Sequence, residues 1–329
     1  MNPIEKIKSS HEKRKERRAM LKTHGDTRPG RVEKPNGFGI AADVIIIVIL
    51  VLAMFICIIP LWHVLMASLS DGRQLSSNSG MLWWWIGSDG KVGGAPNWGG
   101  YVKTLEYNNY AILKSYGITI GYVIGNVVLG LFLNVIAGYI LSAETKISKP
   151  LMIFILFTMM FNGGTIPTYM VIRSLGLLNN PLSLILPGCT GAMFVILGYN
   201  SFKTVPKSTI EAARLDGAGS FRIMFQVMLP QAIGLFIVSM INTGIITWNA
   251  WFEASIYIGG QYQNLWPLQL WIRRLGNDLG DPNIDINYDY NNMLVTYCVI
   301  VVSMVPILIA MPFIQKQLQK GSLAGAVKE

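Results

Sequence analysis

The sequence predicts an all-α membrane protein of about six transmembrane helices, and three observations carry that prediction. Apolar residues make up 52% of the 329 positions and charged residues only 14%. The apolar residues gather into runs of about 20, the length a helix rising 1.5 Å per residue needs to cross a hydrocarbon layer of about 30 Å. The basic residues bracket these runs and stay out of them. Strands are excluded because the runs lack alternating polarity and an open sheet edge would leave backbone groups unsatisfied in lipid.

The elements follow in order. Residues 1–39 form a basic tail holding 11 of the 27 Lys and Arg, with Lys13-Arg14-Lys15-Glu16-Arg17-Arg18 at its centre. Such a tail can rest on anionic lipid or stay solvated. The transmembrane domain is expected over 40–315, with spans at Val44–Leu65, Ser115–Leu141, Leu151–Ile172, Leu182–Phe202, Gln231–Trp251 and Met293–Ile314. The first run starts too late and runs too long for a signal-peptide core, so it is read as a retained span. Gly121, Gly125, Gly130 and Gly138 in the second run, with Gly188, Gly191 and Gly198 in the fourth, allow close helix approach. Pro60, Pro187 and Pro306 lie inside apolar runs, where they kink or interrupt helices. Residues 316–329 form a short basic tail.

Charge placement orients the chain. With the N-terminus inside, 20 of the 27 Lys and Arg lie on the cytoplasmic side, as the positive-inside rule requires. The net charge of +9 is thus a topology signal, and nucleic acid is not an expected partner. All nine tryptophans fall at outer span ends or in outer loops under this topology, where amphipathic rings anchor.

Signals for chemistry are missing. His11, His24 and His63 are too few and too scattered for a metal cluster, and Cys57, Cys189 and Cys298 sit singly in apolar runs. No H-E-x-x-H, G-x-S-x-G or phosphate-cradling G-x4-G-K-[ST] occurs, so neither catalysis nor a bound cofactor is expected. Asp43 and Glu253 lie near span ends, which disfavours an ion-coupled secondary transporter, the reading from another mechanistic class.

One loop stands out, at about 203–230 between the fourth and fifth spans. Glu211-Ala212-Ala213-Arg214-Leu215-Asp216-Gly217 reads as a short helix opened by Pro206 and reversed at Gly217. A second short helix over Phe221–Met228 is expected before Leu229-Pro230 punctuates the chain. A helical elbow on the inner face suits docking, not catalysis.

The pattern E-A-A-x3-G-x9-V-x-L-P resembles the EAA loop of ABC importer permeases, with Val227 where the family usually has Ile. Further segments resemble carbohydrate importer permeases of the maltose-permease type: Ala137-Gly138-Tyr139-Ile140-Leu141-Ser142, Trp248-Asn249-Ala250-Trp251-Phe252-Glu253-Ala254, and Leu265-Trp266-Pro267-Leu268-Gln269. Phe161-Asn162-Gly163-Gly164-Thr165-Ile166-Pro167-Thr168-Tyr169 and Leu175-Gly176-Leu177-Leu178-Asn179 resemble the LplC/YtcP-like branch, associated with oligosaccharides released from complex polysaccharides. The resemblance runs from about Val44 to the last residues. An ABC permease for a peptide or an ion stays open as the alternative.

The resemblance implies a type I importer in the bacterial cell membrane, with N- and C-termini cytoplasmic. A homologous second permease, two ATP-binding subunits and an extracellular substrate-binding lipoprotein are the implied partners, with ATP and Mg at the partner ATPase. It implies that Glu211, Ala212, Ala213, Asp216, Gly217, Leu229 and Pro230 couple to the ATPase. Leu265, Trp266 and Leu268 would meet the binding protein, within a platform formed by Gln261–Tyr290 and Asp71–Tyr110. For the sugar path the polar and aromatic candidates are Asn162, Tyr169, Asn242, Trp248 and Asn249, with Thr243 and Thr165 beside them; interhelical hydrogen bonding is the alternative role of each.

Overall fold

The computed structural model describes residues 37–78, 80–143, 145–161, 163–278 and 292–326. The chain divides into two units, Met1–Leu61 and Trp62–Glu329. The first unit, where described, is helical and belongs to α1 (Gly37–Ser68), which carries Pro60 without ending there. Its Ile46, Ile49, Leu52 and Phe55 side chains are exposed, the surface of a helix whose solvent is lipid. The basic tail before Gly37 lies outside the described residues.

The second unit begins with a tryptophan-rich segment around α2 (Gly72–Ser77), whose N-terminus is capped by Asp71 accepting from the backbone N–H groups of Arg73 at 3.0 Å and Gln74 at 3.4 Å. Trp62 Nε1 donates to the Trp83 carbonyl, and the Trp84 and Trp85 rings stack at 4.9 Å. Helices follow as α3 (Gly99–Ser142), α4 (Ser148–Met160), α5 (Thr165–Ser174), α6 (Leu182–Gly188), α7 (Ala192–Lys203), α8 (Lys207–Leu215), α9 (Ser220–Trp248), α10 (Phe252–Tyr257), α11 (Leu268–Asp278) and α12 (Asn292–Ala326). Among the described residues, extended pairing is limited to an isolated bridge between Ile86 and Val92. Four helices are long and apolar enough to cross a membrane, and six spans result if each of two bent pairs counts as one.

The third span, expected as one run, is one of these bent pairs, and the fourth is the other, interrupted near Pro187 as its place inside an apolar run led us to expect. The third breaks between α4 and α5, where Gly164 takes φ 83 and Pro167 enters the first turn of the new helix. The fourth breaks by 49° between α6 and α7, where Pro187 and Gly188 end one helix and extended Gly191 opens the next. Pro306 and Pro312, by contrast, lie inside a continuous α12. The second short helix expected over Phe221–Met228 also merges onward. Residues Ile223–Met228 form a π-helical turn within α9, and Pro230 lies in the first turn of the α-helical stretch that follows it. A proline near a helix start loses no hydrogen bond the helix would otherwise make, so it does not interrupt there.

Packing centres on α3, which contacts α7, α9 and α12. Glycines set the α3–α7 distance. A Cβ on Gly138 would stand 2.7 Å from the Gly198 carbonyl carbon, one on Gly198 would stand 2.8 Å from the Asn134 oxygen, and one on Gly130 would overlap the Cys189 carbonyl. Gly121 meets nothing within 4 Å, so it is not part of this seam. Two hydrophobic clusters lie along α3. One gathers Val135, Phe202, Val205, Ile223, Met224, Met228 and Phe236; the other gathers Ile112, Trp248, Tyr257, Trp266, Leu268 and Trp271. Val135 and Ile112 are separated by roughly 35 Å of helix, so the clusters mark opposite ends of the bundle.

Candidate functional site

At the end marked by Phe202 and Val135, α8 forms the elbow. Pro206 precedes it in extended conformation (ψ 133), and the helix then runs to Leu215. Its reversal is tied by three backbone bonds of 3.0 Å: Asp216 N–H to Ala212, Gly217 N–H to Arg214, and Ala218 N–H to Ala213. Gly217 takes φ 76, and a Cβ there would meet no atom within 4 Å. A larger residue is therefore opposed by backbone conformation and not by its neighbours in this chain.

The elbow has two faces. Ile210, Ala213, Ala218 and Leu229 pack on the cluster of Phe202, Val205, Ile223, Met224 and Met228. Glu211, Ala212, Asp216 and Pro230 are exposed, and beside them Leu215 is 90% and Phe221 75% exposed. Two large apolar side chains thus stand exposed among charged ones. The inner side of α8 borders a 210 Å³ pocket shared with Tyr139 and Ser142 at the end of α3. In the sequence Leu215 and Phe221 read only as residues of the two short helices, and no spacing marks them as the exposed apolar pair.

A second site lies farther up α3. A cavity of about 780 Å³ opens among α3, α5, α6, α9 and α10. Its polar lining consists of Tyr122, Asn126, Thr165, Thr168, Ser183, Thr247, Asn249, Glu253 and Tyr257; Trp251 adds an aromatic face. Asn126 and Tyr139 are thirteen residues apart, so the cavity stands about 20 Å along α3 from the elbow.

Local bonds hold the wall. The Tyr122 hydroxyl donates to the Leu265 carbonyl at 2.9 Å. Asn179, itself at φ 57, accepts at Oδ1 a 2.7 Å bond from the Gly259 N–H, while its own N–H donates to the Tyr257 carbonyl at 2.9 Å. Asparagine tolerates that left-handed conformation better than most residues, which gives the Leu175–Asn179 motif a structural meaning. Burial pushes the Tyr257 hydroxyl pKa up, with the Glu253 carboxylate adding to the rise, so the phenol stays protonated and can donate.

The residues expected along the sugar path separate. Asn249 lines the cavity, its amide donating to the Ile245 carbonyl at 2.8 Å, and Thr165 lines it too. Tyr169 lies behind the wall, its ring stacked on Tyr257 at 6.5 Å. Asn242 is exposed, bonded to the Val238 carbonyl, and outside the lining; Thr243 is buried. Trp248 is buried and packs on Tyr116, 6.1 Å between ring centroids. Asn162 lies outside the described residues. Of the residues expected to meet the binding protein, Trp266 and Leu268 are buried in the core cluster and Leu265 is half-buried against it, whereas the adjacent Gln261, Tyr262, Gln263 and Asn264 are exposed. The rest of that loop, from 279 to 291, lies outside the described residues.

Long apolar helices around a polar cavity, with an exposed elbow at one end, define a multi-span transport permease. Residues 117–324 match the family described as binding-protein-dependent transport system inner membrane component, and the chain belongs to that family. It is 31% identical over 292 residues to the polygalacturonan/rhamnogalacturonan transport system permease protein YtcP of Bacillus subtilis (strain 168), covering 87% of this chain and 98% of that protein. Protein LplC of the same organism is 31% identical over 227 residues, covering 68% of this chain and 76% of LplC. Among solved structures, a bacterial ABC transporter involved in the import of the acidic polysaccharide alginate superposes with a TM-score of 0.73 at 26% identity, covering 88% of this chain and 99% of that one. The expected family and its all-helical importer-permease fold are thereby established.

Proposed function

We propose that this chain is the permease subunit of an ATP-driven importer in the bacterial cell membrane for oligosaccharides derived from complex polysaccharides, working by alternating access. The observation that carries the reading is the pairing of an exposed apolar elbow with a polar cavity on one helix, α3. Leu215 and Phe221 would enter a cleft on the ATP-binding subunit, with Glu211 and Asp216 pairing at its rim. A movement of α8 would pass to α3, α7 and α9 through the cluster around Phe202 and Met228, because a close-packed core transmits displacement. ATP and Mg belong to the two ATP-binding subunits, and this chain supplies no cofactor of its own.

A second, homologous permease would complete the pathway, and an extracellular lipoprotein would deliver the sugar. The names of YtcP and of the alginate transporter support a polysaccharide-derived substrate. The N- and C-termini are placed in the cytoplasm on the distribution of Lys and Arg. Affinity purification in mild detergent, followed by reconstitution in vesicles with labelled oligosaccharide, tests the reading. An ATPase that copurifies and drives uptake is expected; purification of the chain with no ATPase would sink the importer assignment.

A further inference from the structure

At the end of the bundle that carries the elbow, a second cavity of about 590 Å³ opens between α4 and α7, against the last turn of α3. That volume is within the range of small-ligand sites, roughly 300–1,000 Å³. Its wall is of two kinds. Leu141, Met152 and Ile153 are apolar, while Lys149 and Lys203 bring two ammonium groups. No Asp or Glu is among the described residues that line it.

The two lysines stand where their spans leave the membrane. Lys149 is the second residue of α4, which opens the third candidate span, and Lys203 is the last of α7, which closes the fourth. Both charges are therefore on the same side, at headgroup depth, where a lysine stem can lie along apolar surface with its ammonium in the polar layer. The wall is held in shape. Ser148 Oγ accepts from the Thr145 N–H at 3.1 Å and donates to the Ile140 carbonyl at 3.0 Å, which ties the turn between α3 and α4. Lys203 Nζ lies 5.6 Å from the ring centroid of Tyr199, another lining residue, and this keeps the ammonium beside the cavity.

The apolar part of the wall decides between a dissolved anion and a lipid. Ile153 is 67% exposed, and Phe154 and Phe157 on the same helix are exposed as well, so the cavity runs out onto apolar surface of a spanning segment. A dissolved phosphate would use the lysines alone, whereas an acyl chain also covers Leu141, Met152 and Ile153.

We propose that this cavity binds an anionic phospholipid, with Lys149 and Lys203 on the headgroup phosphate and the start of an acyl chain on Leu141, Met152 and Ile153. A compact ammonium suits phosphate as a point charge. The cation of a zwitterionic headgroup finds no carboxylate in the lining, so a lipid of net negative charge is favoured. The proposal requires a chain that spans a membrane and is independent of where the sugar passes.

The test titrates the purified membrane assembly in detergent with phosphatidylglycerol or phosphatidylcholine and reads bound lipid by native mass spectrometry. Phosphatidylglycerol is expected to bind more tightly. Lys149→Gln and Lys203→Gln should each weaken it about fivefold, and comparison with the unaltered assembly isolates this site from basic surfaces elsewhere. The paired Lys149→Arg and Lys203→Arg variant keeps both charges and should keep the affinity, which separates lost charge from a folding fault. Lys146→Gln, exposed on the same turn and outside the lining, should change the affinity far less. Phosphatidylglycerol bound no better than phosphatidylcholine, or unmoved by either glutamine variant, overturns the proposal. Equal loss in Lys146→Gln overturns it in favour of a diffuse basic surface. Glycerophosphoglycerol, the same headgroup without chains, competing as well as the lipid would overturn it in favour of a site for dissolved phosphate.

Discussion

The backbone N–H of Leu268 donates a 2.9 Å hydrogen bond to Oγ1 of Thr119, joining the start of α11 to the middle of α3. Both residues are fully buried, and the same hydroxyl donates to the Ser115 carbonyl at 2.7 Å. Leu268 thus ties the start of α11 to the bundle. Replacing Thr119 by Val removes the acceptor and strands a buried N–H, at a cost of about 1–3 kcal/mol. A lower thermal midpoint of the purified assembly is the expected reading, and an unchanged midpoint would show that the bond contributes little.

The burial of Trp266 and Leu268 shifts the docking prediction to their neighbours. Leu268→Ala should cost about 2–5 kcal/mol as a core truncation and lower basal ATP hydrolysis and uptake together. Alanine at Gln261 or Tyr262, which are exposed, should leave basal hydrolysis intact and reduce its stimulation by the binding protein. Assaying hydrolysis with and without the binding protein separates the two; equal loss in the exposed variants would argue against the platform.

At the elbow, conformation and contact can be told apart. Gly217→Ala should cost about 1–2 kcal/mol through the left-handed φ alone, since space around it is open. Leu215→Asp alters no packing within the chain, because Leu215 is 90% exposed. It should leave the permease folded and strip the ATPase during gel filtration. Normal copurification with normal uptake would remove Leu215 from the docking face.

The glycine seam makes a graded prediction. Gly138→Val and Gly198→Val each push carbon into backbone of the facing helix and should abolish stable expression. Gly121→Ala meets nothing within 4 Å and should be tolerated or slightly stabilising. Expression and thermal midpoints of the three variants, compared side by side, check the order.

Asn242 on α9 and Asn249, the residue that caps its end, are seven residues apart, yet of the two Asn249 alone lines the cavity. Asn249→Leu should change the relative uptake of two oligosaccharides of different length. Asn242→Leu should leave that ratio alone. A ratio that follows Asn242 and ignores Asn249 would move the path elsewhere.

What the sequence determined by itself follows from local physics. A run of about 20 apolar residues must be a spanning helix whatever surrounds it, because lipid offers the backbone no other partner. The elbow was equally legible: Pro206 can open a helix, and Gly217 can reverse one, without reference to the rest of the chain. The continuity of the third and fourth spans was not, because a proline or glycine in an apolar run is compatible with a kink, a break or an unbroken helix, as Pro187 and Pro306 show. Which of these occurs depends on the neighbours that satisfy the freed backbone groups.

The assembly of the cavity belongs to the tertiary structure. Asn126, Thr168, Ser183 and Glu253 come from four helices and Asn249 from the cap of α9; Asn249 and Glu253 share one motif, but no spacing along the chain links them to the other three. Asn126 in particular reads as one polar residue in an apolar run until its amide is seen to donate to the Leu184 carbonyl of α6. The same reason buried Trp266 and Leu268. Their segment is a loop by composition, and only the packing of α11 on α3 could decide that its aromatic residues turn inward, since burying the Trp266 ring and the Leu268 side chain in the cluster that holds Ile112 stabilises more than leaving them at the surface.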